Sequence, residues 1–271
     1  MKKILAIVLA VLMVAFAVSC GKTENDTPDT SAVSGSDTSA VNDTDTSADV
    51  ADDVKVMTYA EYVAADFDTA VTVETYVQAK QSWWDNKATI YTQNEEGAYF
   101  IYQMACSEEE YALLTTGTKI RVSGFKSQWS GEVEIVDATY EILDGNYVAE
   151  ATDVTALLGT DEIEAEQNKF VAFKGMTVEA SKDADGNDVA FLYSWNGTGQ
   201  DGDDLYFNAS VGGATYTFTV ESYLCDNTTD VYAAVKALNI GDVIDMEGFL
   251  YWYEGINPHI TSVSVISGDE K

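Results

Sequence analysis

Between residues 57 and 143, apolar and polar positions alternate with periods that separate helices from strands. MTYAEYVAAD has a helical pattern, and VTVETYVQA alternates like a half-buried strand. KATIYTQ and AYFIYQMA flank the turn NEEG, which predicts a hairpin. Ser107 followed by three glutamates is typical of a helix N-terminus, and TKIRVSGFKSQW and EVEIVDATYEIL predict two further strands. The predicted order is therefore three strands, a short helix and two strands.

The same pattern returns later in the chain. Residues 116–142 align without a gap on residues 240–266, and four positions coincide: Gly117, Gly124, Phe125 and Gly131 fall on Gly241, Gly248, Phe249 and Gly255. AYFIYQMAC and TYTFTVESYLC each end in a cysteine before a short helical pattern. The head is therefore predicted to be a duplication. Its second copy contains an insert, DVAFLYSWNGTGQDGDD, which predicts either a displaced second strand or an additional hairpin.

The order of elements in each copy resembles the OB-fold, the oligonucleotide- and oligosaccharide-binding barrel, whose helix lies between strands three and four. The resemblance covers residues 57 to 143 and again 150 to 266. It implies a mostly β protein with two tandem five-stranded barrels, the first over residues 54–146 and the second over residues 147–271. A pair of generic β-sandwiches is the alternative.

The N-terminus has the three parts of a secretory signal: two lysines, an apolar run, and a small residue before Cys20. The sequence Ala17-Val18-Ser19-Cys20 resembles the bacterial lipobox. This resemblance implies that residues 1–20 form a lipoprotein signal peptide and that Cys20 carries a diacylglycerol anchor. Residues 21–53 are rich in Thr, Asp and Ser and contain no aromatic residue, which predicts a disordered tether. The protein is then expected on the extracytoplasmic face of the bacterial membrane.

Aromatic residues are concentrated in the predicted ligand loops of the two barrels. An OB-fold binds its ligands on its middle strands and in the loops that join strands one to two and four to five. These loops carry Trp83, Trp84 and Trp129 in the first copy and Trp252 and Tyr253 in the second. Flat rings of this kind stack on sugars or bases. Packing within the barrels or between them is the alternative.

Lys119 and Arg121 share one face of a predicted strand and could add a small basic patch beside these rings. The alternative is that they balance nearby acids. The formal net charge of the chain is −32, and such a charge repels polyanions. Nucleic acid is therefore predicted to be an unlikely partner, and a glycan or a cell-wall fragment to be the preferred ligand. Single-stranded nucleic acid and a protein-docking or structural role remain the alternatives.

Other chemistry has little support. Asp183, Asp185 and Asp188 place oxygen ligands at spacings that suit calcium, although the same run is a good turn. No other cofactor is expected. The chain has one histidine, His259, which aligns with Ile135 in a strand, and no catalytic motif surrounds a serine. We therefore expect a non-catalytic protein. Cys106 and Cys225 occupy equivalent places in separate barrels, so two buried free thiols are expected rather than a disulfide.

Replacing Cys20 by Ala should release the protein from the membrane, because two acyl chains on this residue would supply the whole anchor. The head should fold as before, since the anchor lies outside it. Membrane fractionation after a high-salt wash measures the change. A Cys20→Ala protein that stays in the membrane fraction would contradict the lipoprotein assignment.

Overall fold

The computed structural model describes residues 55–266. The predicted signal peptide, Cys20 and the tether therefore lie outside the described residues. No helix in the described part of the chain has the length and apolar character needed to cross a bilayer.

The first copy is a closed barrel of five strands in the spatial order β1-β2-β3-β5-β4. Its strands are β1 (Ala70–Lys80), β2 (Lys87–Gln93), β3 (Ala98–Ala105), β4 (Thr118–Trp129) and β5 (Glu132–Asn146). Antiparallel pairing of β1 with β4 and parallel pairing of β3 with β5 close the ring. Helix α1 (Tyr59–Ala64) precedes the barrel, and α2 (Glu108–Leu113) lies between β3 and β4, as predicted.

Both short helices of the first barrel begin at capping boxes. Thr58 and Ser107 each accept a hydrogen bond from the backbone N–H three residues later, and Glu61 and Glu110 reach back to the capping residue. These reciprocal bonds satisfy N–H groups that lack a partner inside the helix. The prediction that Ser107 caps a helix is confirmed.

The second copy is also a closed barrel of five strands. Its elements are β6 (Thr152–Asp153), β7 (Phe170–Glu179), β8 (Ser181–Lys182), β9 (Asp188–Val189), β10 (Leu192–Tyr193), β11 (Leu205–Val211), β12 (Ala214–Val220), α3 (Asp230–Lys236), β13 (Val243–Phe249) and β14 (His259–Val265). The ring runs β7-β11-β12-β14-β13 and closes because β7 pairs with both β11 and β13. Two 3-10 helices, Thr155–Leu157 and Asp161–Glu166, connect the barrels. Strands β9 and β10 lie in the insert; β9 pairs with β8, just before the insert, and β10 is an edge strand that pairs with β11. Of the two predicted alternatives, the structure shows an additional hairpin before the second strand of the ring.

Two of the aligned positions, Gly124 and Gly248, require glycine for the same structural reason. A Cβ on Gly124 would lie 2.7 Å from the carbonyl oxygen of Val136, and a Cβ on Gly248 would overlap the backbone of His259 and Ile260. Each glycine lies where the fourth strand of its barrel shifts register against the fifth. Only glycine lets the two backbones approach so closely at this bend.

Each barrel has its own apolar core, and a third cluster joins them. The described residues, 55–266, belong to one compact unit. Tyr91 and Phe100 of the first barrel pack with Phe249 of the second, and the Tyr91 and Phe249 rings are stacked with centroids 4.4 Å apart. Tyr91 Oη and His259 Nδ1 share a hydrogen bond of 2.7 Å within this cluster. We call this cluster the seam; it consists of Tyr91, Phe100, Phe249, Tyr251 and His259.

Cys106 and Cys225 are both buried and free, as predicted. Burial raises the pKa of the Cys225 thiol to about 11, with smaller effects from Glu221 and Asp226. Burial also raises the pKa of the Cys106 thiol, so both cysteines stay protonated and unreactive at neutral pH.

Acid should lower the free energy of unfolding through the protonation of His259. Burial lowers the pKa of this imidazole to about 3 from 6.5. Because unfolding lets it bind a proton, its contribution to stability is complete above pH 6.5 and is lost as the pH falls towards 3. The free energy of unfolding of the wild type minus that of His259→Phe should therefore shrink over this interval in urea titrations. At pH 7 the variant should be less stable by about 1–3 kcal/mol, since the Tyr91 hydroxyl loses its partner. A difference that does not change with pH would contradict this assignment.

Candidate functional site

Three exposed aromatic rings line one groove between the barrels. The exposed fractions of Trp84, Tyr102 and Tyr223 are 67%, 40% and 64%. The groove has a volume of about 360 Å³, which lies at the small end of ligand sites. We call it the aromatic groove; it is lined by Gln81, Ser82, Trp84, Lys87, Thr89, Tyr102, Gln103 and Tyr223.

A tight turn presents Trp84 to solvent. The backbone groups of Trp84 and Lys87 exchange hydrogen bonds of 3.3 and 3.0 Å around the two residues between them. Asp85 and Asn86 both have positive φ, at 51° and 57°, which is the geometry of a type I′ turn. Aspartate and asparagine tolerate this geometry better than most residues. The local sequence WDNK therefore explains why Trp84 is exposed.

A β-bulge turns the side chains of β3 towards the groove. Ala88 pairs with Met104 and Ile90 with Ile101, so Tyr102 and Gln103 together face Thr89. The extra residue breaks the alternation of the strand, and bulges commonly redirect side chains in this way. Gln103 Nε2 donates to Tyr102 Oη at 2.9 Å, and Lys87 Nζ donates to Gln103 Oε1 at 3.1 Å. The bulge thus groups an aromatic ring, an amide and an ammonium.

The second barrel completes the groove with Tyr223. The backbone N–H of Ser82 donates to the carbonyl oxygen of Tyr223 at 2.6 Å, and Gln81 Nε2 donates to Glu221 Oε2 at 3.2 Å. Burial, reinforced by Asp204, raises the pKa of the Glu221 carboxyl to about 7. The groove therefore depends on the two barrels keeping their relative position.

The structure separates the other predicted aromatic residues from this groove. Trp83 is half-buried, and its Nε1 donates to the carbonyl oxygen of Cys106 at 2.8 Å. Trp129 and Tyr253 are exposed and lie against each other, with centroids 5.2 Å apart. Trp252 is half-buried, and its indole occupies the space that a Cβ on Gly131 would need. The predicted aromatic residues therefore lie in separate places, and Trp84 is the one among them that lines the groove.

Lys119 and Arg121 do not form a basic patch beside the tryptophans. Both bind Glu74 on the neighbouring strand β1, at 2.6 Å from Lys119 Nζ and 2.8 Å from Arg121 Nη2. Arg121 also binds Glu141. The alternative interpretation, charge balancing, describes these two residues.

The predicted calcium ligands form a turn and an ion pair. One oxygen of Asp183 accepts hydrogen bonds from the backbone N–H groups of Asp185 and Asn187, and the other accepts from Asn187 Nδ2. Asp188 pairs with Lys182 at 2.7 Å. Within residues 55–266, no group of His, Cys, Asp or Glu side chains is arranged to hold a metal. The carboxylates of Asp183 and Asp188 are thus engaged within the loop, which agrees with the alternative interpretation of this run as a turn.

Tyr223 and Gln103 are two of the groove residues that sequence reasoning missed. Their signals are non-local: Tyr223 reaches the groove because the barrels pack together, and Gln103 because of a bulge. The exposure of Tyr223 could not be read from the pattern around Cys225.

Comparisons with known proteins give similarity at the level of structure only. No protein-family model matches the sequence, and no curated protein matches it. A murine DNA-binding protein bound to double-stranded DNA is similar over 74% of this chain and 98% of its own, with 11% identity and a TM-score of 0.36. The p204 HINb domain is similar over 74% of this chain and 100% of its own, with 11% identity and a TM-score of 0.34. A deletion mutant of the single-stranded DNA-binding protein from Thermus aquaticus covers 74% of this chain and 96% of its own, with 13% identity and a TM-score of 0.25.

Two predictions from the sequence are corrected by this comparison. A glycan was the preferred ligand and nucleic acid an unlikely partner, yet two of these similar structures are described as DNA-binding proteins. The physical reason is that a formal net charge averages over the whole chain. At physiological salt, charges more than about 8 Å away are largely screened, so a ligand responds to the groups that it touches.

Trp83 and Trp84 are neighbours with opposite environments, which allows a paired test. Trp83→Ala should lower the free energy of unfolding by about 1–3 kcal/mol, since it removes a half-buried ring and the bond to Cys106. Trp84→Ala should change it by less than about 0.5 kcal/mol, since its ring is exposed. Urea unfolding followed by circular dichroism measures both. Equal losses for the two variants would contradict the assigned environments.

Proposed function

We propose that this protein is a non-catalytic module that binds single-stranded nucleic acid in the aromatic groove. The observation that carries the proposal is the grouping of Trp84, Tyr102 and Tyr223, all exposed, around one groove. Stacking of a base on an aromatic ring contributes about 1–3 kcal/mol and requires no particular sequence. Unpaired bases offer free faces to such rings, whereas the bases of a duplex are already stacked. The groove therefore suits a single strand.

Polar groups around the rings supply the contacts that orient a base. Gln81, Ser82 and Gln103 provide amide and hydroxyl groups that can donate to or accept from a base edge. Lys87 provides a positive charge for one phosphate. No arrangement in the groove resembles a nucleophile with its general base, so binding is the whole of the proposed activity.

The acidic surface determines how such binding responds to salt. A basic single-strand binder releases many counterions, and its affinity falls steeply as salt rises. Here Lys87 is the cation that lines the groove, so the slope of log K against log salt should be about −0.7 or shallower. The −32 charge of the chain acts in the opposite direction, because screening weakens the repulsion of the phosphates.

We further propose that the module acts at the extracytoplasmic face of a bacterial membrane, anchored through lipidated Cys20. The support is the signal-like N-terminus and the lipobox-like sequence that ends at this residue. The polar residues 21–53 would then serve as a spacer between the bilayer and the head. Nucleic acid released outside cells is the matching ligand for this location.

Replacing Trp84 by Ala should weaken the binding of a fluorescent oligothymidylate by about 1–3 kcal/mol, because one stacking ring is lost. Fluorescence anisotropy measures the affinity. Trp195→Ala is the matched control, since Trp195 is 74% exposed but does not line the groove. This control should bind like the wild type.

Three outcomes would contradict the proposed function. The wild type could fail to bind any single-stranded oligonucleotide, the two variants could lose the same affinity, or duplex DNA could bind better than single strands. A steep fall of affinity with salt would instead contradict the stacking mechanism.

A further inference from the structure

The two barrels also meet around a buried carboxyl group that has no charged partner. Glu132 is the first residue of β5, and its exposed fraction is 0%. Its Oε2 accepts a hydrogen bond of 2.9 Å from the backbone N–H of Trp252 in the second barrel, and Gln167 Nε2 lies 3.5 Å away. Its Oε1 is buried and has no hydrogen-bond partner. Burying an unpaired carboxylate oxygen without a charged partner lowers the stability of the folded protein.

The groups around Glu132 do not supply a compensating charge. Within residues 55–266, no lysine, arginine or histidine forms a salt bridge with it. The ionisable groups that face it are Glu134 on the same strand, Tyr62 on α1, Tyr91 on β2, and Tyr251 in the loop after β13. Burial raises the pKa of each of these tyrosines, so they stay neutral, and the Glu134 carboxyl can only add like charge.

One hydrogen atom on Oε1 would remove the conflict. The amide of Asn168 lies beside the carboxyl, and Asn168 Oδ1 is itself buried without a donor. Asn168 Nδ2 directs one of its two N–H groups to the carbonyl oxygen of Val133 at 3.0 Å, and Glu132 Oε1 is left without a hydrogen-bond partner. Both of these oxygens are buried. A carboxylic acid supplies the missing donor and needs no counter-charge.

We propose that Glu132 is a neutral carboxylic acid in the folded protein at neutral pH, and that its ionisation in mild alkali loosens the contact between the barrels. When the proton leaves to solvent, a negative charge remains in a buried site beside Glu134. Separation of Trp252 and its neighbours from Glu132 then lowers the free energy, because water can reach the carboxylate. The contact between the loops at Ser130 and Glu254, a backbone hydrogen bond of 2.7 Å, lies in the same place. This inference does not depend on the proposed function.

Linkage gives the sign and the pH window. Burial raises the pKa of the Glu132 carboxyl to about 8 from 4.5, while Asn168 and the Trp252 N–H partly oppose the shift. Between these two values the folded protein holds the proton and the unfolded chain does not. This group alone therefore raises the unfolding constant by up to about tenfold per pH unit over that window, and by nothing further above it.

Glu132→Gln in the full chain is the test, because an amide has the shape of the acid and carries its own donor. Unfolding constants are measured in urea from pH 5 to pH 9 for wild type, Glu132→Gln and the control Glu150→Gln, whose side chain is exposed. The ratio of the wild-type constant to the Glu132→Gln constant should rise by at least about tenfold and level off near pH 8. The ratio of the wild-type constant to the Glu150→Gln constant should not change with pH. A Glu132→Gln ratio that is also independent of pH would overturn the proposal.

A spectroscopic measurement on the wild type keeps the test decisive even if the variant folds poorly. Because burial also raises the pKa of the Glu221 carboxyl to about 7, infrared difference spectra with ¹³C-labelled glutamate are recorded for wild type and for Glu221→Gln. The un-ionised carboxyl band that remains in Glu221→Gln at pH 6.5 should disappear through pH 8. Exchange of the Trp252 amide hydrogen should accelerate over the same interval beyond the ordinary effect of base. Absence of the un-ionised band at pH 6.5 would overturn the proposal, as would a Trp252 amide that stays protected above pH 9.

Discussion

The packing of aromatic rings at the seam is the interaction on which the rest of this structure depends. Tyr91, Phe100 and Phe249 bury their faces against one another across two barrels that each have a separate core. Aromatic pairs at these distances contribute about 0.5–1.5 kcal/mol beyond the area that they bury. The seam thereby determines where Tyr223 lies relative to Trp84. Without it Tyr223 would not be held beside Trp84, and the groove would be incomplete.

Most of the fold could be predicted because its determinants are local. The pattern of the apolar residues located the strands and helix α1, and Ser107 with the three glutamates after it located helix α2. The coincidence of Gly124 and Gly248 identified the duplication for a physical reason, since both backbones pass too close to a neighbouring strand for a side chain. The domain boundary at residue 146 stays a prediction.

The candidate site could be predicted only in part because its contacts are non-local. Trp84 was found from its place in a loop, and its exposure follows from the turn residues after it. Charge balancing of Arg121 was predicted as an alternative, but its partner could not be named, because it depends on the register that places Glu74 opposite it on β1. The contribution of Tyr223 depends on how two domains pack, which neither periodicity nor composition encodes. Charge counting misled for a related reason: it describes the chain as a whole, whereas a ligand contacts a few groups.

The contact of Trp129 with Tyr253 has a consequence for the history of the molecule. These residues occupy equivalent positions in the two copies, as the alignment of residues 116–142 on 240–266 shows. In a symmetric dimer, equivalent residues meet only at the two-fold axis, and every substitution appears twice. In a single chain with two copies, each substitution appears once, so the two sides of the seam can diverge. They have done so: Glu132 and His259, both buried between the barrels, stand where the other copy has Ile256 and Ile135. Because the two copies lie in one chain, a polar group can occupy one copy without appearing in the other, which is impossible in a pair of identical subunits.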